Sequence, residues 1–190
     1  MIPSYVVTLS VIAWLMPPFK QQRTEYFLFF LILAFADPLM LLFFYLRLFP
    51  VEHLYVVVEL LVIYSLIKKN NLNRIIILAA GVAYVFLYKS VGFDAAFLLG
   101  AALHTVILLI VVYRFLLHTK NRKMLSLFYI LLICYELSVI LKMLAVVVDI
   151  KSGVTQFYLV SFLQITFGIL FTIFNVNSKD FRLVKRMEEV

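Results

Sequence analysis

The chain is poor in the residues that make disulfides, tight turns and charged surfaces. Its 190 residues include one cysteine, Cys134, five glycines and five prolines, and no proline follows Pro50. A single cysteine excludes an internal disulfide and a cysteine-rich metal site. Only 14% of the residues are charged. This is too little polar side chain to cover a water-soluble domain, so the composition argues against a soluble protein.

Recognisable enzyme motifs are missing as well. The sequence has no HExxH zinc motif, no GxSxG nucleophile elbow, no P-loop and no glycine-rich dinucleotide loop. Its three histidines do not stand at metal-ligand spacing. We therefore expect no cofactor and no metal, and an intramembrane enzyme ranks third among the functions considered.

Hydrophobic residues make up 65% of the chain, which predicts an integral membrane protein with an all-α fold. A helix needs about 20 apolar residues to cross the ~30 Å hydrocarbon layer. The apolar N-terminal segment lacks a basic flank and a cleavage pattern, so we expect it to be retained as the first helix. Residues 1–177 are predicted to form a seven-transmembrane helix bundle, and residues 178–190 a basic, amphipathic cytoplasmic tail. The seven predicted spans are Ile2 to Met16, Glu25 to Leu48, Val51 to Ile67, Arg74 to Tyr88, Ala95 to Leu117, Met124 to Val148 and Val154 to Val176.

The lysines and arginines between these spans predict the orientation of the bundle. One side has only Arg47, Lys89 and Lys151, and all the other basic residues outside the spans fall on the opposite side. The positive-inside rule places the richer side in the cytoplasm, hence the N-terminus outside and the C-terminus inside, in a multi-pass protein of the cell (inner) membrane. The twelve residues of the basic side are Lys20, Arg23, Lys68, Lys69, Arg74, Lys120, Arg122, Lys123, Lys179, Arg182, Lys185 and Arg186.

The net charge of +7 does not indicate nucleic acid, because the basic residues lie in short breaks between apolar runs and form no stripe. The expected partners are the lipid bilayer and a cytoplasmic signalling protein that contacts the basic loops or the tail. A small-molecule or lipid ligand within the bundle is expected too.

Six polar residues fall well inside the predicted spans and are the candidate ligand-binding or proton-site residues. A charge at the bilayer centre costs at least ~2.5 to 3.5 kcal/mol, so these side chains are expected to face one another in a shared polar pocket. We expect Lys142 to pair with Glu59 or Asp37, since six residues separate it from Glu136 on the same helix, about 240° around the axis. The six are Asp37, Glu59, His104, Glu136, Lys142 and Gln164.

Other features give weaker expectations. Asp37-Pro38 predicts a kink with a polar notch, or a tolerated kink. Glu52 and His53 are expected in a solvated outer loop, and Arg114 and His118 are expected to snorkel to the headgroups. The small residues of predicted helices four and five predict a tight hairpin between those two helices.

Two seven-helix families share this topology but not its details. Microbial rhodopsins carry a retinal-binding lysine in the last helix, and Val154 to Val176 contains no lysine. Sugar transporters of three-plus-one-plus-three helices rely on prolines in both repeats, whereas this chain has none after Pro50.

A third likeness is more informative. GluLeuLeuValIleTyr at Glu59 to Tyr64 is followed by lysines, and ValValTyrArgPheLeu occupies Val111 to Leu116. In the sequence pattern of predicted helices three to seven, the chain resembles the small seven-helix membrane modules of bacteria that stand alone or precede sensor kinases. The resemblance implies a receptor or signalling accessory role and carries over no site residue. The first hypothesis is thus a membrane sensor, and the alternative is a small secondary transporter that uses the buried carboxylates.

Overall fold

The computed structural model describes residues 4–67, 71–148, 153–177 and 181–182. Helices dominate these ranges, and one short antiparallel pair of two-residue strands joins Met124–Leu125 (β1) to Phe181–Arg182 (β2). The helices are α1 (Ser4–Leu15), α2 (Pro17–Gln21), α3 (Phe27–Leu46), α4 (Val51–Leu66), α5 (Asn71–Leu87), α6 (Phe93–Arg122), α7 (Leu127–Val147) and α8 (Gly153–Ile173), with a 3₁₀ turn at Tyr88–Ser90.

The predicted all-helical fold class is confirmed. In the described ranges, the helices of twelve residues or more fall on the seven predicted segments, and α2 is an additional short turn of helix. Four helical stretches are long and apolar enough to span a membrane, namely Phe27–Leu46, Leu72–Ser90, Phe93–Arg122 and Leu127–Val147. Helix α6 has 30 residues and reaches about 45 Å, longer than the predicted Ala95 to Leu117.

Six helices form a closed ring, and their order around it is α1, α3, α4, α6, α7, α8 and back to α1. Contacts along each interface show which helices run the same way. Glu59 of α4 meets His104 of α6, and Leu66 further along α4 meets Arg114 further along α6, so these two helices are parallel. The pairs Ala13–Gly168 and Gln21–Phe174 make α1 and α8 parallel as well.

Helix α5 lies outside the ring and packs on α4. His53 Nδ1 and the Tyr84 hydroxyl are 2.8 Å apart and link the two helices. The predicted hairpin between the fourth and fifth long helices is therefore wrong: α5 returns the chain past α4, and α6 packs chiefly on α4 and α7. Small residues permit a close approach between membrane helices but do not require one. His53 itself is buried rather than solvated.

One end of the ring is filled by an aromatic cluster, which we define as Tyr26, Phe29, Phe30, Phe128, Tyr129 and Phe171. Its rings meet mostly edge to face, with centroids 4.9 Å apart for Phe30 and Phe171 and 5.0 Å apart for Tyr26 and Phe128. Such pairs add about 0.5 to 1.5 kcal/mol each beyond the area they bury. The cluster joins the start of α3 and α7 to the end of α8.

Side chains satisfy the carbonyl groups left open at helix ends on the same side. The Gln21 amide donates to the carbonyls of Phe171 and Phe174, at 3.3 and 2.9 Å, beyond the last turn of α8. Arg114 donates to the Leu66 carbonyl at the end of α4. A helix leaves its last four carbonyls without partners, and burying them unpaired is costly. These contacts tie α2, α4, α6 and α8 together beside the aromatic cluster.

Arg114 does not snorkel to headgroups as expected. Its guanidinium lies 5.3 Å from the Tyr26 ring centroid and 3.3 Å from a Glu25 carboxylate oxygen, inside the bundle. His118 packs its ring against Tyr129, at 5.4 Å between centroids. The open carbonyl at the end of α4 and the Tyr26 ring give the cation partners within the protein.

The predicted amphipathic tail helix lies mostly outside the described residues. The two tail residues that are described, Phe181 and Arg182, form β2 and not a helical turn. Their partner strand takes Met124 and Leu125 out of the predicted sixth helix, which begins at Leu127.

Candidate functional site

A cavity of about 180 Å³ lies inside the ring, and each of the six ring helices contributes to its wall. Five of the six polar residues proposed from the sequence line it, and the sixth, Glu136, is hydrogen-bonded to one of them. Helix α5 contributes nothing to the wall. The lining residues are Ser10, Trp14, Leu33, Ala36, Asp37, Met40, Tyr55, Glu59, Val62, Phe97, His104, Tyr135, Val139, Lys142, Met143, Val146 and Gln164.

The cavity and the aromatic cluster occupy opposite ends of the ring. Val51 and Phe93 begin α4 and α6, and Tyr55 and Phe97, one turn later, line the cavity. On α7 the lining continues to Val146, near the end of that helix. The aromatic cluster therefore closes the end of the ring opposite to the starts of α4 and α6.

At its centre His104 is held between two carboxylates. Its Nδ1 lies 2.7 Å from Oε2 of Glu136, and its Nε2 lies 3.3 Å from Oε1 of Glu59. All three side chains are buried. A protonated His104 donates on both nitrogens and carries charge toward both acids, whereas a neutral ring donates on one side alone. The arrangement provides a proton-holding site on α4, α6 and α7.

Glu59 is the least satisfied member of this group. It is 2% exposed, and among the described residues neither of its carboxylate oxygens has a hydrogen bond of acceptable geometry. The 3.3 Å approach to His104 is an electrostatic contact rather than a well-formed hydrogen bond. Leaving a buried carboxylate without donors costs at least ~1 to 3 kcal/mol, so this group is poised for another partner.

Gly100 explains how Glu59 reaches the centre. A Cβ at this position would lie 2.9 Å from Sδ of Met143 and 3.2 Å from Oε1 of Glu59. The absence of a side chain on α6 therefore leaves space for the carboxylate and the thioether. The small residues of α6 serve this approach to α4 and α7, and not the hairpin expected from the sequence.

Asp37 and Lys142 mark the other side of the cavity. The Ser10 hydroxyl donates to Oδ2 of Asp37 at 2.9 Å, next to Pro38 within a continuous α3. Lys142 Nζ donates to the Gln164 amide oxygen at 3.0 Å. The amide on α8 is one partner of this lysine, and Asp37, one of the two carboxylates expected from the sequence, is close enough to interact with it electrostatically.

An aromatic wall borders the polar groups. Trp14 and Tyr135 have their ring centroids 4.9 Å apart, and both face the cavity. Each also touches Phe171 of the aromatic cluster, at 6.2 Å. The wall therefore separates the cavity from the aromatic cluster beneath it.

Ser10 and Tyr55 also line the cavity but were not among the residues predicted from the sequence. Ser10 is a polar residue halfway along an apolar helix, and the rule that identified the acids applies to it too. Tyr55 precedes Glu59 by four positions and so shares its helix face. Glu52 and His53 do not line the cavity, and within the described ranges no three His, Cys, Asp or Glu side chains converge on a metal position.

No protein-family model, no curated protein and no solved structure matches the chain significantly.

Proposed function

We propose that this protein is a seven-span sensor or receptor-like module of the cell inner membrane, which binds a small molecule in the cavity of its helix ring. The observation that carries the proposal is the convergence of Asp37, Glu59, His104, Lys142 and Gln164, from five helices, on one cavity. A mainly apolar cavity with a few convergent polar groups is the usual form of a small-molecule site.

Seven crossings are the count that suits this ring. Helices α1, α4 and α8 pack in the same bundle as the four stretches that are long and apolar enough to span a membrane. A ring of six helices with α5 outside it gives an odd number of passes. Four basic residues lie toward the end that holds the aromatic cluster. Arg23 lies between α2 and α3, Arg74 in the first turn of α5, and Lys120 and Arg122 in the last turn of α6. The positive-inside rule then directs this end to the cytoplasm and the cavity outward.

The closed inner end favours a receptor over a carrier. A bound molecule that enters from outside meets the wall of Trp14 and Tyr135 and the aromatic cluster behind it. Occupancy would shift these rings against Phe171 and hence the end of α8. A cytoplasmic partner that contacts the basic end can respond to this shift without any molecule crossing the membrane.

Native mass spectrometry of the full chain in mild detergent tests the proposal. We expect a bound small molecule in the wild type and its loss in Val139→Phe, which fills the cavity. The matched control is Val106→Phe, an exposed position on α6, which should retain the molecule. Equal occupancy in wild type and Val139→Phe would place the molecule elsewhere and contradict the proposal.

A small secondary transporter is the second candidate, and the Glu59–His104–Glu136 arrangement favours it because a buried acid–histidine–acid relay suits proton coupling. Proteoliposomes separate the two functions. Flux that disappears in Glu59→Gln and Glu136→Gln supports a carrier, and retained binding without flux supports a receptor.

A further inference from the structure

The geometry points to a small organic ammonium ion as the ligand of this cavity, held by Glu59 and by the aromatic wall. The inference rests on the proposed binding function and adds the chemical class of the ligand. Three features carry it: the sign of the charge around the cavity, the unpartnered carboxylate, and the aromatic rings beside it.

The charge around the cavity is negative in either state of the histidine. Asp37, Glu59 and Glu136 supply three carboxylates, against Lys142 alone when His104 is neutral and against two cations when it is protonated. Net charge in a low-dielectric interior is unfavourable. A ligand with one positive charge reduces this imbalance, whereas an anion increases it and a zwitterion leaves it unchanged.

Glu59 provides the point of attachment. Its Oε2 has no hydrogen-bond donor within the described part of the chain, and the residue is almost wholly buried while lining the cavity. Protonating this carboxyl on Oε1 would let it donate to Nε2 of a neutral His104, 3.3 Å away, but would still leave Oε2 without a donor. An ammonium group supplies up to three donors and forms a charge-assisted bond with the carboxylate.

Lys142 does not oppose this placement. Its Nζ is directed to Gln164 of α8, and in the order of the ring α8 stands opposite α4, which carries Glu59. Trp14 and Tyr135 line the same cavity, and aromatic rings attract cations. The volume of about 180 Å³ is slightly above the ~150 Å³ of a protein cavity that binds benzene. The cavity therefore admits a small amine that carries one aromatic ring.

The test uses the only tryptophan of the chain as a reporter, since Trp14 lines the cavity. The full-length protein in detergent micelles is titrated with three probes that share a phenyl group: phenethylammonium, phenylalanine as the zwitterion, and 3-phenylpropionate as the anion. We expect Trp14 fluorescence to respond to phenethylammonium at concentrations at least tenfold lower than for the other two.

Glu59→Gln keeps the shape of the side chain and removes its charge. We expect it to weaken phenethylammonium binding by about tenfold or more, and Glu52→Gln, on the first turn of the same helix and outside the cavity, to leave it unchanged. Size-exclusion chromatography and circular dichroism check the fold. Should Glu59→Gln not fold, Asp37→Asn takes its place, with weaker binding of the cation again expected.

The outcomes separate the two proposals. If phenylalanine or 3-phenylpropionate binds as tightly as phenethylammonium, the ligand class is wrong while the binding cavity stands. If the cation is preferred but Glu59→Gln binds it like wild type, the assignment of Glu59 is overturned. If Trp14 responds to none of the probes, the inference and the proposed binding function both fail.

Discussion

The two ends of the helix ring use the same six helices for opposite purposes. One end holds Tyr26, Phe30 and Phe128 in contact with one another, and the polar side chains beside them, Gln21 and Arg114, donate to carbonyls at helix ends. The other end encloses a cavity with buried charges, and Glu59 there lacks a donor. Aromatic packing is concentrated at one end, and the buried carboxylates Glu59 and Glu136 lie toward the other, where a ligand is proposed.

This difference indicates how a small bundle tolerates an unfavourable site. A void and a buried carboxylate each destabilise the fold, by amounts of order 1 to 3 kcal/mol. The aromatic cluster and the capped helix ends offset that cost at the far end of the same helices. Substitutions at the aromatic end should therefore change stability first, and those at the cavity end should change binding first.

The largest effect is expected from Phe30→Ala. Phe30 is fully buried and touches the rings of Phe29, Phe128 and Phe171, so truncation should lower the free energy of unfolding by about 3 to 5 kcal/mol. Unfolding in mixed micelles titrated with SDS measures it. Phe35→Ala, an exposed position on the same helix, is the control. Comparable losses at both positions would show that the cluster is not the stable end.

A double-mutant cycle between His104 and Glu136 probes the cavity end. Their 2.7 Å contact joins two buried groups, so the coupling between His104→Leu and Glu136→Leu should reach about 1.5 to 3 kcal/mol in the same unfolding assay. The cycle of His53→Phe with Tyr84→Phe, outside the ring, should give a smaller coupling of about 0.5 to 1.5 kcal/mol. A coupling energy near zero between His104 and Glu136 would contradict this expectation, because the two side chains at the centre of the cavity would then contribute to stability independently.

The smallest effect is expected from Gly100→Ala. The new methyl group would press on the flexible end of Met143 and on Glu59, at a cost of about 1 kcal/mol. The control is Gly81→Ala, inside α5, where a Cβ would lie 3.8 Å from Leu60. It gains the helix propensity of alanine without the close contact and should raise stability by about 0.5 to 1 kcal/mol. Equal stability of the two variants would mean that α6 does not approach Glu59 and Met143 as closely at Gly100 as the structure shows.

The helices themselves follow from the sequence because long apolar runs leave the backbone no other way to satisfy its hydrogen bonds in a membrane. The meeting of the polar residues follows from the same physics. Charged groups on separate apolar helices gain by facing one another, which is why Glu59, His104 and Glu136 end up in contact.

Which helices pack next to one another does not follow from the sequence in the same way. Nearly every face of these helices is apolar, so hydrophobicity does not distinguish the side of α5 that meets α4 from the side that meets lipid. The exposed Ala79, Ala80 and Ala83 misled the packing prediction for this reason. Arg114 was misplaced because its partners, the Leu66 carbonyl and the Tyr26 ring, come together only in the folded ring.

The excursion of α5 outside the ring divides the bundle into two leaves of three helices, one made of α1, α3 and α4 and the other of α6, α7 and α8. Within each leaf, successive helices are joined by short connections. Between the leaves, at the α4–α6 and α8–α1 seams, the helices are held by packing and side-chain contacts. The Glu59–His104 contact lies in the first seam, so the electrostatic contact at the centre of the cavity also helps to hold the two leaves together.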